Sequence, residues 1–256
     1  MDLTIVKVGG KIVEEPESLK QLLDGVSKIE GPKMLVHGGG RTATQVAAQL
    51  GLETQMINGR RVTDAEMIKV VTMVYAGLVN KNIVAQLSNL GLKALGLTGA
   101  DINVIRSHKR PITPEGIDYG FVGDVDQVDA EAISLLIEGG IIPVMAPLSL
   151  GSDAQLLNTN ADTIAGETAK AMAALYDVTL IYCFEKKGVL MDADDDESVI
   201  PHIDPAYYEE LKQKEIVSGG MLPKLDNSFA ALQAGVKKVI ITRADQLGRT
   251  GTTMTL

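Results

Sequence analysis

Apolar runs that end in glycine place the strongest constraint on this chain. Leu3 to Val6 leads into Lys7-Val8-Gly9-Gly10-Lys11, and Met34 to Val36 leads into His37-Gly38-Gly39-Gly40-Arg41. A buried strand that stops in glycines and then opens a helix presents bare backbone N–H groups at the carboxyl edge of a parallel sheet. Anionic ligands collect at that edge in open α/β folds. Two such turns, each beside a cation, suit a site that holds negative charge in more than one place. Phosphoryl transfer between two anions makes that demand.

The alternation extends along the chain. Short β-branched runs predict strands at 3–8, 33–37, 93–97, 141–146, 178–183 and 238–242. Between them, helical periodicity marks 17–29, 42–50, 64–91, 130–138, 161–175, 205–214 and 224–234. This order predicts an α/β fold, an open and mostly parallel sheet sandwiched by helices. Thr63-Asp64-Ala65-Glu66 reads as a capping box, and Gly91 and Gly235 as helix C-termini. Two segments interrupt the pattern. Val104–Val128 holds Pro111, Pro114 and Gly116 and reads as a projecting hairpin region, and Asp192–Glu197 is an acidic, solvated tip. A division near Leu175 would give two lobes, residues 1–175 with the glycine turns and residues 176–256 with a nucleotide.

Composition narrows the class. With 45% hydrophobic and 22% charged residues, no Trp and three Phe, the 256-residue chain is that of a globular protein with an aliphatic core. A net charge of −9, with no basic run or cluster of aromatics, argues against nucleic acid. The single cysteine, Cys183, sits in an apolar run as a small core thiol and suits a reducing compartment. No cleavable leader precedes the first strand, and no apolar stretch approaches the ~20 residues of a membrane span. A cytoplasmic protein without a membrane partner is expected.

Several signatures are missing: the P-loop G-x-x-x-x-G-K-[ST], the dinucleotide G-x-G-x-x-G, the zinc motif H-E-x-x-H and the hydrolase G-x-S-x-G. What remains is a set of turns with charged neighbours. Lys7 at a strand end can neutralise phosphate oxygens, or it can be an ordinary surface lysine. Three successive glycines at 38–40 serve close backbone approach, or only a tight turn. Asn58-Gly59-Arg60-Arg61-Val62-Thr63 offers a guanidinium fork to a carboxylate, or a solvated pair. In Asn158-Thr159-Asn160-Ala161-Asp162, Asn160 is the expected N-cap. Asn158 is a neutral donor to a ligand, and Asp162 either a carboxylate between cations or a complement to the helix dipole. Ser218-Gly219-Gly220-Met221-Leu222-Pro223-Lys224 repeats the pairing of glycines with a lysine, or is a surface loop.

Taken in this order, the five segments resemble the amino acid kinase family, and most closely its N-acetylglutamate kinase branch. The resemblance runs from Val6 to Gly251-Thr252. Lys11 directly after the first glycines and the Asn-Gly-x-Arg-Val-Thr stretch set the chain apart from the aspartokinase, glutamate 5-kinase and UMP kinase patterns.

The resemblance implies the carbamate kinase-like, two-lobed fold of that family and transfer of the ATP γ-phosphate to the side-chain carboxylate of an N-acyl-L-glutamate, in arginine biosynthesis. Lys7 and Lys224 would stabilise the moving phosphoryl group, with Asp162 orienting both and Gly10 donating from its backbone. Gly38, Gly39, Arg61 and Asn158 would hold the acyl-glutamate. By position, Glu185, Lys186, Lys187, Gly188, Val189 and Leu190, with Ile216, Val217 and Ser218, would contact the nucleotide. Here Glu185-Lys186-Lys187-Gly188 replaces the frequent Asp-x-x-Gly. Mg²⁺ would ride on the ATP phosphates, without a dedicated protein ligand. Arginine-inhibited relatives carry an extra N-terminal helix that links dimers into hexamers. Only six residues precede Lys7, so a homodimer is expected, with the 64–91 helix at its interface. N-succinylglutamate is an alternative substrate, for which Lys11, Arg41 or Arg106 would supply the added cation. A non-catalytic amino-acid-binding regulator on the same fold is the other alternative.

Overall fold

A computed structural model describes all 256 residues. In chain order the first half comprises β1 (Asp2–Val8), α1 (Gly10–Glu14), α2 (Pro16–Ser27), β2 (Lys33–His37), α3 (Gly40–Gln49), β3 (Met56–Ile57), β4 (Arg60–Arg61), α4 (Ala65–Thr72), α5 (Asn80–Asn89), β5 (Ala94–Leu97), β6 (Ile105–Lys109) and β7 (Gly123–Val128). The second half adds α6 (Ala130–Glu138), β8 (Ile142–Met145), β9 (Leu148–Leu150), β10 (Leu156–Asn158), α7 (Ala161–Met172), β11 (Asp177–Phe184), β12 (His202–Ile203), α8 (Pro205–Gln213), α9 (Met221–Gln233), β13 (Lys238–Arg243) and β14 (Thr252–Met254).

Eight strands form the main sheet in the order β12-β14-β13-β11-β1-β2-β8-β5. The six strands from β13 to β5 run parallel, whereas β14 turns antiparallel against β13 and β12 runs parallel to β14. Helices cover both faces, so the central strands are apolar on both sides, as a parallel sheet requires. The period of two sorts their side chains. Leu3 and Ile5 of β1, with Leu180 and Tyr182 of β11, enter a core built with α6, α7, α8 and α9. Val6 and Val8, with Ile181 and Cys183, enter a second core built with α1 to α5. Lys7 shares the parity of Leu3 and Ile5, so it ends its strand facing α7 and α9.

The sequence-read elements appear with ends displaced by a few residues, and the differences have local causes. Asp64, not Thr63, caps α4: its carboxylate accepts from the N–H of Glu66 and Met67. Thr63 is buried and donates to Arg61 O instead. The long helix holds a π-helical stretch, Met73–Val79, between α4 and α5. By length and mean hydropathy, the 25-residue helix Ala65–Asn89 is long and apolar enough to cross a membrane. Interruption by Glu66, Lys69 and Lys81 hides that in a search for unbroken apolar runs. Its apolar side is accounted for by the core, where Val71, Val74, Ile83 and Leu87 are buried. The 104–128 region does form a hairpin, β6 with β7, which joins β9 and β10 in a four-stranded sheet. The acidic tip is held by the pairs Lys186–Asp196 and Lys187–Glu197. Around residue 175 both sheet and core are continuous, since β11 pairs along the full length of β1.

Candidate active site

The two glycine turns lock into one another. Gly38 N–H donates to Val8 O at 3.1 Å. A Cβ on Gly38 would lie 3.1 Å from Gly10 N, closer than side chains ordinarily approach, so any residue but glycine would press the two turns apart by a few tenths of an ångström. Neither α1 nor α3 has a side-chain N-cap, so the N–H groups of Gly10 and Gly40 that open them have neither an intrahelical nor a capping partner. Glu14 ties the turns together by accepting from Thr42 N at 2.9 Å.

Beneath the turns, His37 is fully buried. Its Nδ1 lies 2.7 Å from Gly38 O and its Nε2 lies 3.0 Å from Asn80 Nδ2. A carbonyl oxygen can only accept, so Nδ1 carries the proton. Asn80 Nδ2 also donates to Val144 O at 2.9 Å, so Nε2 is the acceptor. Burial is the main reason the imidazole pKa falls to about 4, and the ring is neutral at physiological pH. His37 therefore orients the triple-glycine turn and is no base.

Lys7, Asp162 and Lys224, far apart in sequence, line one cleft of about 410 Å³. Lys7 is nearly buried, and its Nζ pairs with Asp162 Oδ1 at 2.7 Å. Asp162 stands in the first turn of α7, which Asn160 caps by accepting from the N–H of Asp162 and Thr163. Lys224 stands one turn into α9, which begins at Met221. Tyr208 fixes α9 by donating to Asp226 at 2.8 Å and stacking on Phe229. Burial lowers the Lys224 pKa, Asp162 opposes that effect and Lys7 adds to it. Gly9, Gly10, Lys11, Arg41, Phe184, Glu185, Lys186 and Gly188 complete most of the lining.

Other sequence-read residues lie elsewhere. Lys187 turns to Glu197, Val189 and Val217 are in the core, and Leu190, Ile216 and Ser218 do not line the cleft. Glu185 reaches across to Lys11 at 2.9 Å. Arg61 and Asn158 line a second, smaller cleft of about 110 Å³ with Met56, Gly59, Arg60, Val122 and Asn160. There the Asn58-Gly59 turn, with both residues at positive φ, makes a hairpin of β3 and β4. The buried Arg61 guanidinium donates to Gly40 O (2.6 Å), Thr44 Oγ1 (2.8 Å) and Thr54 Oγ1 (3.1 Å). It thereby joins the small cleft to the triple-glycine turn. Asn158 Nδ2 donates to Thr63 Oγ1 at 2.9 Å. The exposed Arg106 of β6 donates to Asn103 Oδ1 at 2.9 Å.

Sequence reasoning missed Phe184, gave the quoted Met221 no place in the main cleft, and carried only Arg61 of the two quoted arginines to a ligand. The signal for Phe184 was its parity with Leu180 and Tyr182, which aims it to the Lys7 side. No cluster of three or more His, Cys, Asp or Glu side chains forms a metal site.

Residues 2–243 match the family model described as the amino acid kinase family. A relative named acetylglutamate kinase from Phocaeicola vulgatus is 64% identical over 245 residues, 96% of this chain and 95% of that protein. Another so named, from Bacteroides fragilis, is 61% identical over 251 residues, 98% of this chain and 95% of its own length. Among solved structures, carbamate kinase from Giardia lamblia bound to AMP-PNP superimposes with a TM-score of 0.71 at 14% identity, covering 99% of this chain and 98% of that one. That likeness establishes a shared fold. Interlocked glycine turns, a parallel sheet of this order and near full-length identity lead to one conclusion: the chain belongs to the amino acid kinase family.

Proposed function

We propose that this protein transfers the γ-phosphate of ATP to the side-chain carboxylate of N-acetyl-L-glutamate, giving an acyl phosphate for arginine synthesis. The observation that carries the reading is the convergence of the Lys7 and Lys224 ammonium groups, with Asp162 between them, on a cleft edged by the glycine turns. Relatives of up to 64% identity bear the name of that activity.

The chemistry asks little of proton transfer. A γ-carboxylate is already ionised at pH 7, so no general base is required, and a neutral His37 is no handicap. The barrier is the approach of an anion to a polyanion. Lys7 and Lys224 offset the charge on the transferring oxygens, Asp162 keeps Lys7 aimed at them, and the Gly10 N–H donates to the same group. Gly38 and Gly39, with Arg61 and Asn158, hold the acyl-glutamate so that its carboxylate meets the phosphate in line. Glu185, Lys186 and Gly188 face the nucleotide, which residues 176–256 bind as one lobe, and residues 1–175 bind the acceptor. Mg²⁺ would be carried by the ATP phosphates and would supply charge neutralisation there, and the chain offers no carboxylate cluster to hold it. The cytoplasm is the expected compartment. A homodimer is expected to cover the exposed Met73 and Leu78 of the π-helical segment.

A second reading keeps the reaction and changes the acyl group. Half-buried Arg60 lines the small cleft beside Arg61 and has no carboxylate within 4.0 Å, which suits the extra carboxylate of N-succinyl-L-glutamate. ADP release is measured with acetyl-, succinyl- and unmodified glutamate. Release that depends on an acylated glutamate supports the reading, the ratio of kcat/KM identifies the acyl group, and absence of dependence refutes it. Replacement of Lys7 or Lys224 by Ala is expected to lower kcat by ~10²–10³, as for loss of one transition-state donor. Unchanged turnover in both variants would remove their assigned role.

A further inference from the structure

Lys224 is held by an aromatic ring. Its Nζ lies 3.6 Å from the centroid of Phe184, while Lys7 Nζ lies 5.0 Å from the same centroid. No carboxylate comes within ion-pairing distance of Lys224. Phe184 ends β11 and stacks on Tyr182, with centroids 5.8 Å apart and planes 5° from parallel. Register places Lys7 beside Tyr182, so ring stack and lysine rise from neighbouring strands on one face. The ring also lines the main cleft.

We propose that Phe184 is a positioning residue whose ring seats the Lys224 ammonium beside Lys7 until the phosphoryl group arrives to take that cation. The proposal rests on the phosphoryl-transfer reading of the cleft. A ring face attracts a cation through its quadrupole but carries no net charge. It holds Lys224 without cancelling the charge that the phosphate oxygens need. A second carboxylate would bind the ammonium more tightly and compete with the substrate. With Asp162 already spent on Lys7, the aromatic seat leaves the trio of Lys7, Asp162 and Lys224 one positive charge in excess. The weak capping of α9, which opens on Gly220 without a side-chain cap, gives such a seat something to correct.

An apolar packing role is the competing account, because Phe184 also touches the core. Phe184→Leu keeps the bulk apolar and removes the ring face, and Phe184→Tyr restores the face. The groups facing Lys224 are Lys7 on β1, Asp162 on α7 and Glu185 after β11, with Lys11, Arg41 and Lys186 at the cleft rim. All of these are unchanged in both variants.

In the free protein, NMR of ¹³C-labelled lysine reads the Lys224 side chain directly. An upfield ring-current shift is expected in the wild type and in Phe184→Tyr and is expected to collapse in Phe184→Leu. Loss of the seat also lowers the Lys224 titration midpoint by about half a pH unit, the equivalent of a weak cation–π contact. In turnover, Phe184→Leu is expected to lose about two- to fivefold in kcat with KM for the acceptor unchanged, and Phe184→Tyr to remain within twofold of wild type. A Leu variant with the wild-type shift and midpoint, or a Tyr variant as impaired as Leu, overturns the proposal. Melting temperatures verify folding, and Phe184→Met replaces the Leu variant if that one fails to fold. The NMR arm needs no substrate, so a wild type inactive on acyl-glutamates but with a seated Lys224 would sink the kinase reading alone.

Discussion

Replacing Asp162 by Asn removes one charge and almost no volume from the centre of the cleft. At 2.7 Å, the Lys7–Asp162 pair has a Coulomb attraction of roughly 6 kcal/mol at an effective dielectric constant of about 20. Much of that is offset by desolvation of Lys7, and Asp162 retains a quarter of its side-chain exposure, so the net effect on stability is smaller. The electrostatic effect on Lys224 is more readable. Asp162 raises the Lys224 pKa, against burial and against Lys7, which both lower it. Without the carboxylate only the smaller influence of Glu185 still opposes burial and Lys7, and a nearby opposite charge is typically worth about 1–3 pKa units. The ammonium then loses its proton at lower pH. The alkaline limb of the kcat/KM profile of Asp162→Asn is therefore expected to move down by about one unit or more. At neutral pH, kcat is expected to fall by ~10² as Lys7 loses its orienting partner. The assay is acyl-glutamate-dependent ADP release from pH 6 to pH 10, with the wild type run beside it. An unmoved alkaline limb with kcat within threefold of wild type would refute the convergence argument, because it would mean Asp162 governs neither lysine.

Other consequences can be checked separately. With the His37 pKa at about 4 in the fold and about 6.5 in the unfolded chain, protons favour unfolding between those values. Stability contributed by the neutral ring is full above pH 6.5 and declines as pH falls, by ~3 kcal/mol near pH 4. Urea midpoints at pH 7 and pH 4.5 measure this, and His37→Asn is expected to flatten the difference. Gly38→Ala drives a methyl group toward Gly10 N and is expected to separate the turns, cutting kcat/KM at least tenfold at a stability cost of ~1–3 kcal/mol. Wild-type kinetics would show that the turns need not touch. Light scattering is expected to give a dimer that Leu78→Asp weakens, and a hexamer with micromolar arginine inhibition would contradict it.

Much of the framework is local and was readable. Alternating apolar residues such as Leu3, Ile5, Val178 and Leu180 declare buried strands, and helix termini announce themselves in Asn160, Gly91 and Gly235. The family resemblance resides in short motifs that survive in order along the chain. Less local features escaped. Thr63 and Asp64 are both good capping residues, and only the bond from Thr63 to Arg61 O leaves the cap to Asp64. Arg60 and Arg61 are adjacent, yet the hairpin buries one against the glycine turn and leaves the other half-buried without a carboxylate.

The sequence by itself determined the α/β alternation, the glycine turns at strand ends and the residues able to carry charge, because period and turn chemistry act over a few residues. Tertiary structure alone decided that Lys7, Asp162 and Lys224 meet, and that Phe184 lies under both ammonium groups. Strand parity turned Lys7 and Phe184 to the same face, but the strand order that sets β1 beside β11 and packs α7 and α9 above them is a long-range choice. It follows from burying two apolar faces at once, which no single segment can express.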